Sequence, residues 1–399
     1  MDKNRRHFVQ GVAAAGALAA TGVRGQESPP PGTVDNEAVK NLKVSAMEYH
    51  SDRPLTGSVP AHAHDFDVTP ADRMFIRNNL LTPALDIDKH RLTITGLVDK
   101  ELSFSVYDLA KAFTPVTVQG MLECAGSGRS NYQPRASGTP WGATGGMGCP
   151  SWGGVRLADV LKAAGLKPGA AHIAGQGVDP GMVASAAPVI RSIPLAKAMD
   201  DNTLIAWAMN DAPLPWIHGY PLRLVVPGWV GSASTKWLST LTMLDAPFKG
   251  TFMTGSYIVP RHAVEPGQKM PAEVVSTQAW PVKSMITLPA PNARTKVGAP
   301  VVVRGRAWVG EGSIERVEIS TDEGKTWQRA QLAAARDARH AKYAWRTFTH
   351  ELKPAAPGYV TVLARAWDDR GNAQPAVPAW NPLGYFWNGW HRVGVVVEA

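Results

Sequence analysis

The chain has 399 residues, too many for one ordinary hydrophobic core, so two domains are expected. Its 44% hydrophobic and 19% charged residues exclude a disordered chain, and 38 Gly with 32 Pro favour strands and turns over a helical bundle. The net charge of +8 holds no run of Lys or Arg suited to nucleic acid, and a net three of those charges fall in residues 1–25, so the remainder suits small anions. Most of the fourteen Trp are expected as core or interface anchors.

The first residues read as an address. Asn4-Arg5-Arg6-His7-Phe8-Val9 precedes a weakly apolar, Ala- and Gly-rich stretch at 11–22, too short to span a bilayer. An Arg pair, one residue, then Phe is similar to the twin-arginine signal, which exports folded proteins, and predicts a periplasmic location with a signal over 1–26. No other apolar run is long enough to cross a membrane, so no membrane anchor is expected. Residues 27–43 read as an extended leader. A long first domain follows over 44–248, with a strand at 91–97, a β-like run at 116–122, a helix at 157–164 stopped by Gly165, and a helix at 193–199. A looser connection covers 249–281. Beyond it, 282–399 alternates at 300–308, 314–320 and 359–367, with a turn at Asp322-Glu323-Gly324-Lys325. This pattern predicts an all-β, immunoglobulin-like sandwich. The fold class is therefore α+β, a mixed, strand-rich domain followed by an all-β one.

The chemistry concentrates at Leu122-Glu123-Cys124-Ala125-Gly126-Ser127-Gly128-Arg129-Ser130, where a β-like run delivers a cysteine onto a loop of small residues ending in a cation. Small residues allow close approach to the backbone, and a thiolate suits a soft metal. On this window alone, two other readings stay open: a buried packing cysteine, or a Cys124–Cys149 disulfide. No C-x-x-C-H is present, so covalent c-type haem is not expected on this chain.

The cysteine loop resembles that of sulfite oxidases, and other windows agree in order and spacing. Phe75-Ile76-Arg77-Asn78-Asn79 is similar to the family's F-x-R-N-H stretch. Pro213-Leu214-Pro215 with His218-Gly219-Tyr220-Pro221-Leu222-Arg223 through Pro227-Gly228 looks like P-L-P-x-x-H-G-x-P-x-R-x-x-x-P-G, followed by Lys236-Trp237-Leu238. Ser320 to Trp327 and Trp390-His391-Arg392-Val393 match the second domain. The resemblance implies a sulfite-oxidase-type molybdopterin domain and a sandwich that forms a homodimer. It also implies a molybdenum-pyranopterin (molybdopterin) cofactor with Cys124 as the one protein ligand to the metal. Phe75, Arg77, Asn78, Asn79, Asp179, His218, Arg223, Ser234, Thr235 and Lys236 fall where the family holds the pterin and its phosphate. Asn79 stands where the family usually has His, and Asp179 lies in a divergent stretch. Independently, Arg223 and Lys236 flank a glycine-containing turn at 228–231, a suitable place for phosphate.

On the substrate side, Arg77, Arg129 and Arg392 match arginines around an oxyanion, Trp141 an aromatic wall, and Tyr257 the active-site tyrosine. Cys149 matches no ligand and is expected to pack. The resemblance implies oxidation of sulfite to sulfate, with electrons passed to a separate c-type cytochrome. Three rivals stand beside that expectation. They are the sulfane dehydrogenase subunit of a thiosulfate-oxidising complex, a molybdenum oxidoreductase for another oxyanion or a sulfoxide, and a non-catalytic exported binding protein.

Overall fold

The computed structural model describes residues 32–335 and 337–399; the twin-arginine segment lies outside them. Two five-stranded sheets form the first domain. One is mixed and runs Ile190–Pro194, His172–Gly177, Leu238–Leu244, Leu92–Gly96, Leu102–Phe104, its only parallel pair being the third and fourth. The other runs Ala212–Pro213, Leu204–Met209, Ser151–Arg156, Val116–Gln119, with Arg223–Val225 also paired to Leu204–Met209. Leu92, Ile94, Leu161, Ile173, Leu224 and Leu241 pack between them in the largest apolar cluster. The helix Leu157–Ala164 buries Leu157, Val160, Leu161 and Ala164 on one face and stops at Gly165, whose φ of 70° suits a residue without a Cβ.

Two local expectations shift. The β-like run at 116–122 is interrupted at Gly120, where an added Cβ would lie 2.8 Å from Pro227; a separate two-residue strand, Leu122–Glu123, then delivers Cys124. The helix expected at 193–199 begins two residues later. Ile193 and Pro194 end the strand Ile190–Pro194, and Pro194 caps the helix Leu195–Ala198. Proline has no N–H to give the ladder beyond this point, yet it suits the entry of a helix.

The leader is not simply extended. Asn36–Lys40 is a helix capped by Asp35, and Val39 packs with Leu55, Ile76 and Ile217. Val34 N–H donates to the carbonyl of Thr82 at 3.0 Å, a second tie between this strap and the first domain.

The second domain is a sandwich. One sheet holds Lys283–Leu288, Val301–Trp308, Arg346–Leu352 and Gln331–Leu332; the other holds Ala293–Lys296, His391–Glu398, Gly358–Asp368, Ile314–Ser320 and Gln328–Arg329. Val303, Val317, Phe348, Ala364 and Val395 fill the space between them. A turn at 322–325, with Glu323 and Gly324 at positive φ, joins two strands as the sequence predicts. The two domains lock together through Glu123 and Lys283, both fully buried, whose side chains meet at 2.6 Å while Trp308 Nε1 donates to Glu123 at 2.8 Å. Among the described residues no helix is long and apolar enough to cross a membrane.

Candidate active site

Neither cysteine is disulfide-bonded. Cys149 packs among Met121, Met147, Met285, Trp308 and Trp345 at the domain junction, as a packing residue would. Cys124 leaves the strand Leu122–Glu123, its N–H donating to the Gly146 carbonyl at 2.8 Å, and lines a cleft open to solvent. Phe75, Arg77, Asn79, Cys124, His218, Arg223, Ser234, Lys236 and Tyr257, all singled out from sequence, line this cleft together. They come from segments scattered over 183 positions. The strand Ile76–Arg77, the cysteine loop, the short helix Trp216–His218 and the strand Arg223–Val225 bring them to one place.

The cations are held by carbonyls rather than carboxylates. Arg223 Nη1 donates to the His218 carbonyl at 2.8 Å, and its guanidinium lies 4.7 Å from the Trp152 ring. Lys236 Nζ donates to the carbonyl of Ile217 at 3.0 Å and to Asn78 Oδ1. Among the described residues, none lining the cleft is acidic. Burial therefore acts nearly unopposed on these groups. It pushes Arg223 down to about 9 and Lys236 well below the usual lysine range, with neighbouring Arg223 adding to the latter. Burial, then the charges of Lys43, Lys236 and Arg223, keep His218 neutral, well below the ordinary imidazole value.

Two polar atoms here have no hydrogen-bond partner although buried: Arg223 Nε and Ser232 Oγ. Crowded cations, unpaired donors and no lining carboxylate fit an anionic, oxygen-rich group such as a pterin phosphate. Among the described residues no three His, Cys, Asp or Glu gather into a metal site, so a metal on Cys124 would need further ligands from its cofactor.

A second group sits toward Tyr257. Arg77 Nη2 donates to Asn79 Oδ1 at 2.9 Å, and the Asn79 amide meets the Tyr257 hydroxyl, with Nδ2 at 3.0 Å and Oδ1 at 3.2 Å. Asn79 thus joins the arginine to the tyrosine. Tyr257 holds a φ of 55°, stacks on Tyr385 with centroids 5.8 Å apart, and lies over Arg191 at 5.0 Å. The strained backbone is supported by this packing and by Thr277 N–H donating to its carbonyl at 2.7 Å.

Other predicted residues sit behind the cleft or away from it. Asn78 is buried, donating to Thr82 Oγ1 at 2.9 Å. Thr235 Oγ1 donates to the Gly175 carbonyl at 3.4 Å, and Asp179 lies beside Gly177, within electrostatic reach of Lys236. Trp141 is fully buried in the same apolar cluster as Cys124 and Phe75 and does not line the cleft. Arg129 does not line it either. Its Nε donates to the Leu383 carbonyl at 2.9 Å, Nη1 donates to Thr139 at 3.2 Å, and its guanidinium lies over Tyr385. The small residues of the loop serve this arginine: a Cβ at Gly126 would come within 2.7 Å of Nη2, and one at Gly138 within 2.6 Å of Nη1.

Arg392 is a correction. It pairs with Glu323 at 2.8 Å on the exposed face of the sandwich, away from the cleft. Side chains alternate along a strand, and His391 takes the inward place, where its Nδ1 accepts from Ile286 N–H at 3.1 Å. Conversely, the sequence reading missed Ser232, Arg191 and Lys43. Arg191 is buried beneath Tyr257, donating to Phe252, Ser276 and Thr277, and burial lowers it to about 10. Nothing in its local sequence marks it.

Residues 79–252 match the family described as oxidoreductase molybdopterin binding domain, and 274–398 match the Mo-co oxidoreductase dimerisation domain. Mitochondrial sulfite oxidase of Rattus norvegicus is 35% identical over 384 residues, covering 93% of this chain and 69% of that protein. Sulfite oxidase of Gallus gallus is 32% identical, covering 87% and 77%. The crystal structure of the sulfane dehydrogenase SoxCD from Paracoccus pantotrophus superposes with a TM-score of 0.75 at 27% identity, covering 97% of this chain and 98% of that one.

Proposed function

The chain belongs to the sulfite oxidase family of molybdopterin oxidoreductases, and from that premise we propose that it is a periplasmic sulfite dehydrogenase passing electrons to an external c-type cytochrome. As a family member it is a molybdenum oxidoreductase of sulfur oxidation carrying molybdopterin. When bound, that cofactor supplies the two-electron redox chemistry. Cys124 is the protein's ligand to the metal. Arg223, Lys236, Ser234 and His218 hold the pterin and its phosphate, and the partnerless donors of Arg223 and Ser232 find acceptors there.

The observation carrying the substrate is the Arg77–Asn79–Tyr257 group at the cleft that contains Cys124. A cation and a phenol held by one amide suit a small oxyanion: Arg77 offsets its charge, and the Tyr257 hydroxyl donates to an oxygen or moves a proton. Asn79 orients both. Arg5 and Arg6 support export in the folded state, and the match to the dimerisation domain supports a homodimer.

Sulfane oxidation is the second reading. It is favoured by the end-to-end likeness to the sulfane dehydrogenase and by the placement of Arg129 and Arg392, which leaves Arg77 as the only one of the three predicted substrate arginines lining the cleft. Fewer cations suit a less charged substrate. The deciding experiment is titration of the molybdenum-loaded protein with sulfite, using cytochrome c as acceptor. Saturable, sulfite-dependent reduction is expected. No reduction by sulfite at one molybdenum per chain would overturn the proposal and leave the sulfane reading.

A further inference from the structure

Lys43 belongs to the strap ahead of the first domain, yet it reaches the cleft's inner wall. Its Nζ lies 2.6 Å from the Ala71 carbonyl, 3.1 Å from the Met74 carbonyl and 2.7 Å from His218 Nε2. An ammonium has three donors and no acceptor, and these three contacts use all of them. Burial lowers Lys43 to about 7, and below that value the amine is an ammonium whose proton the two facing carbonyls favour. His218 is neutral, so the ring carries one N–H, and a second N–H aimed at the ammonium is excluded. With Lys43 charged, Nε2 accepts and Nδ1 carries the hydrogen.

We propose that Lys43 is a positioning residue of the pterin pocket, fixing His218 as the Nδ1–H tautomer so that the imidazole meets the cofactor as a hydrogen-bond donor. The inference rests on reading the cleft as the pterin's. The strap is built to hold Lys43 in place. Val39 packs on Ile76 and Ile217, the residues immediately before Arg77 and His218, so one apolar contact ties the strap to both cleft-lining segments. A pocket of donors around an anionic group gains from one more donor and loses from an acceptor in its place.

The test uses holoenzyme with ¹⁵N-labelled histidine at pH 6, below the value of about 7 for Lys43, the His218 signals being assigned by their loss in His218→Gln. Wild type is expected to show a pyrrole-type Nδ1 and a pyridine-type Nε2. Lys43→Met, which keeps the stem and removes the donors, should lose that pattern. Its pterin and molybdenum per chain should fall by roughly tenfold or more, as when a partner orienting a ligand-holding histidine is removed. Lys43→Arg should recover part of both. A wild-type Nε2–H tautomer would overturn the proposal, and this measurement decides even where Lys43→Met fails to fold. So would a Lys43→Met protein with wild-type shifts and full pterin. A wild-type protein that binds no pterin overturns the reading of the cleft itself, a separate result.

Discussion

A single amide shows how much one side chain decides here. Asn79 accepts from Arg77 and faces the Tyr257 hydroxyl, so two groups 180 positions apart in sequence share one anchor. Removing the charge should cost more than removing the hydroxyl. Arg77→Gln loses a charge-assisted contact of about 1.5–3 kcal/mol, so kcat/KM for sulfite should fall roughly ten- to a hundredfold, much of it in KM. Tyr257→Phe should leave KM closer to wild type and lower kcat, which steady-state kinetics at equal molybdenum loading separates. Arg392→Ala makes the opposite prediction. Its solvent-exposed pair with Glu323 is screened by water and contributes little, so stability and sulfite kinetics should both stay near wild type. A large kinetic loss would mean that Arg392 reaches a cleft it does not line. Sequence reading placed Arg392 at the site because the motif around it is shared; strand alternation, with His391 turned inward, decides the matter, and a motif carries no record of which face it presents.

At the scale of elements, what was legible followed period and punctuation. The helix Leu157–Ala164 with its Gly165 stop, and the long strands of the sandwich, carry their signal locally. The strap did not. Asn36–Lys40 is five residues long with Val39 as its one buried residue, too short for a periodic signal, and it is helical because Asp35 caps it and Ile76 and Ile217 receive Val39. Lys43 was illegible for the same reason, since its partners lie 28 to 175 positions away. The junction of the two domains offers a direct test of one such distant contact. Burial pushes Glu123 up and Lys283 down, while their mutual contact opposes both shifts. Lys283→Met would strand a carboxylate inside the protein and should cost about 3–5 kcal/mol in urea unfolding. Glu123→Gln combined with Lys283→Met should recover much of that loss. Equal losses in the single and double variants would show that the lysine acts through packing against Trp280, Trp308 and Trp387 instead.

For the molecule as a whole, the two-domain plan and the set of cleft residues were readable because each motif is contiguous, whereas the depth at which each residue sits was not. Arg129 and Trp141 occupy the right region but one layer behind the cleft, a distinction only packing makes. Buried histidines add a global response to acid. His64, without a hydrogen-bond partner on either ring nitrogen, and His391 are both lowered by burial from 6.5 to about 4. Below pH 6.5 the unfolded chain takes up protons that the folded protein refuses until about pH 4, so stability falls as pH drops through that window. At about 1.4 kcal/mol per pH unit, each histidine removes roughly 2 kcal/mol by pH 5. Urea unfolding at pH 7.5 and 5.0 should show this loss, and His64→Phe should be less acid-sensitive by about that amount. An unchanged difference between the two pH values would mean that His64 is protonated in the folded protein.

The Glu123–Lys283 contact has a bearing on how such a protein can be inherited. The carboxylate belongs to the residue immediately before Cys124, and its counter-charge comes from the first strand of the sandwich. Cutting the chain between the domains would leave Glu123 without its counter-charge, one peptide bond from Cys124. The catalytic half is therefore not a portable module, and gene fusion or loss at this boundary would have to change both residues together.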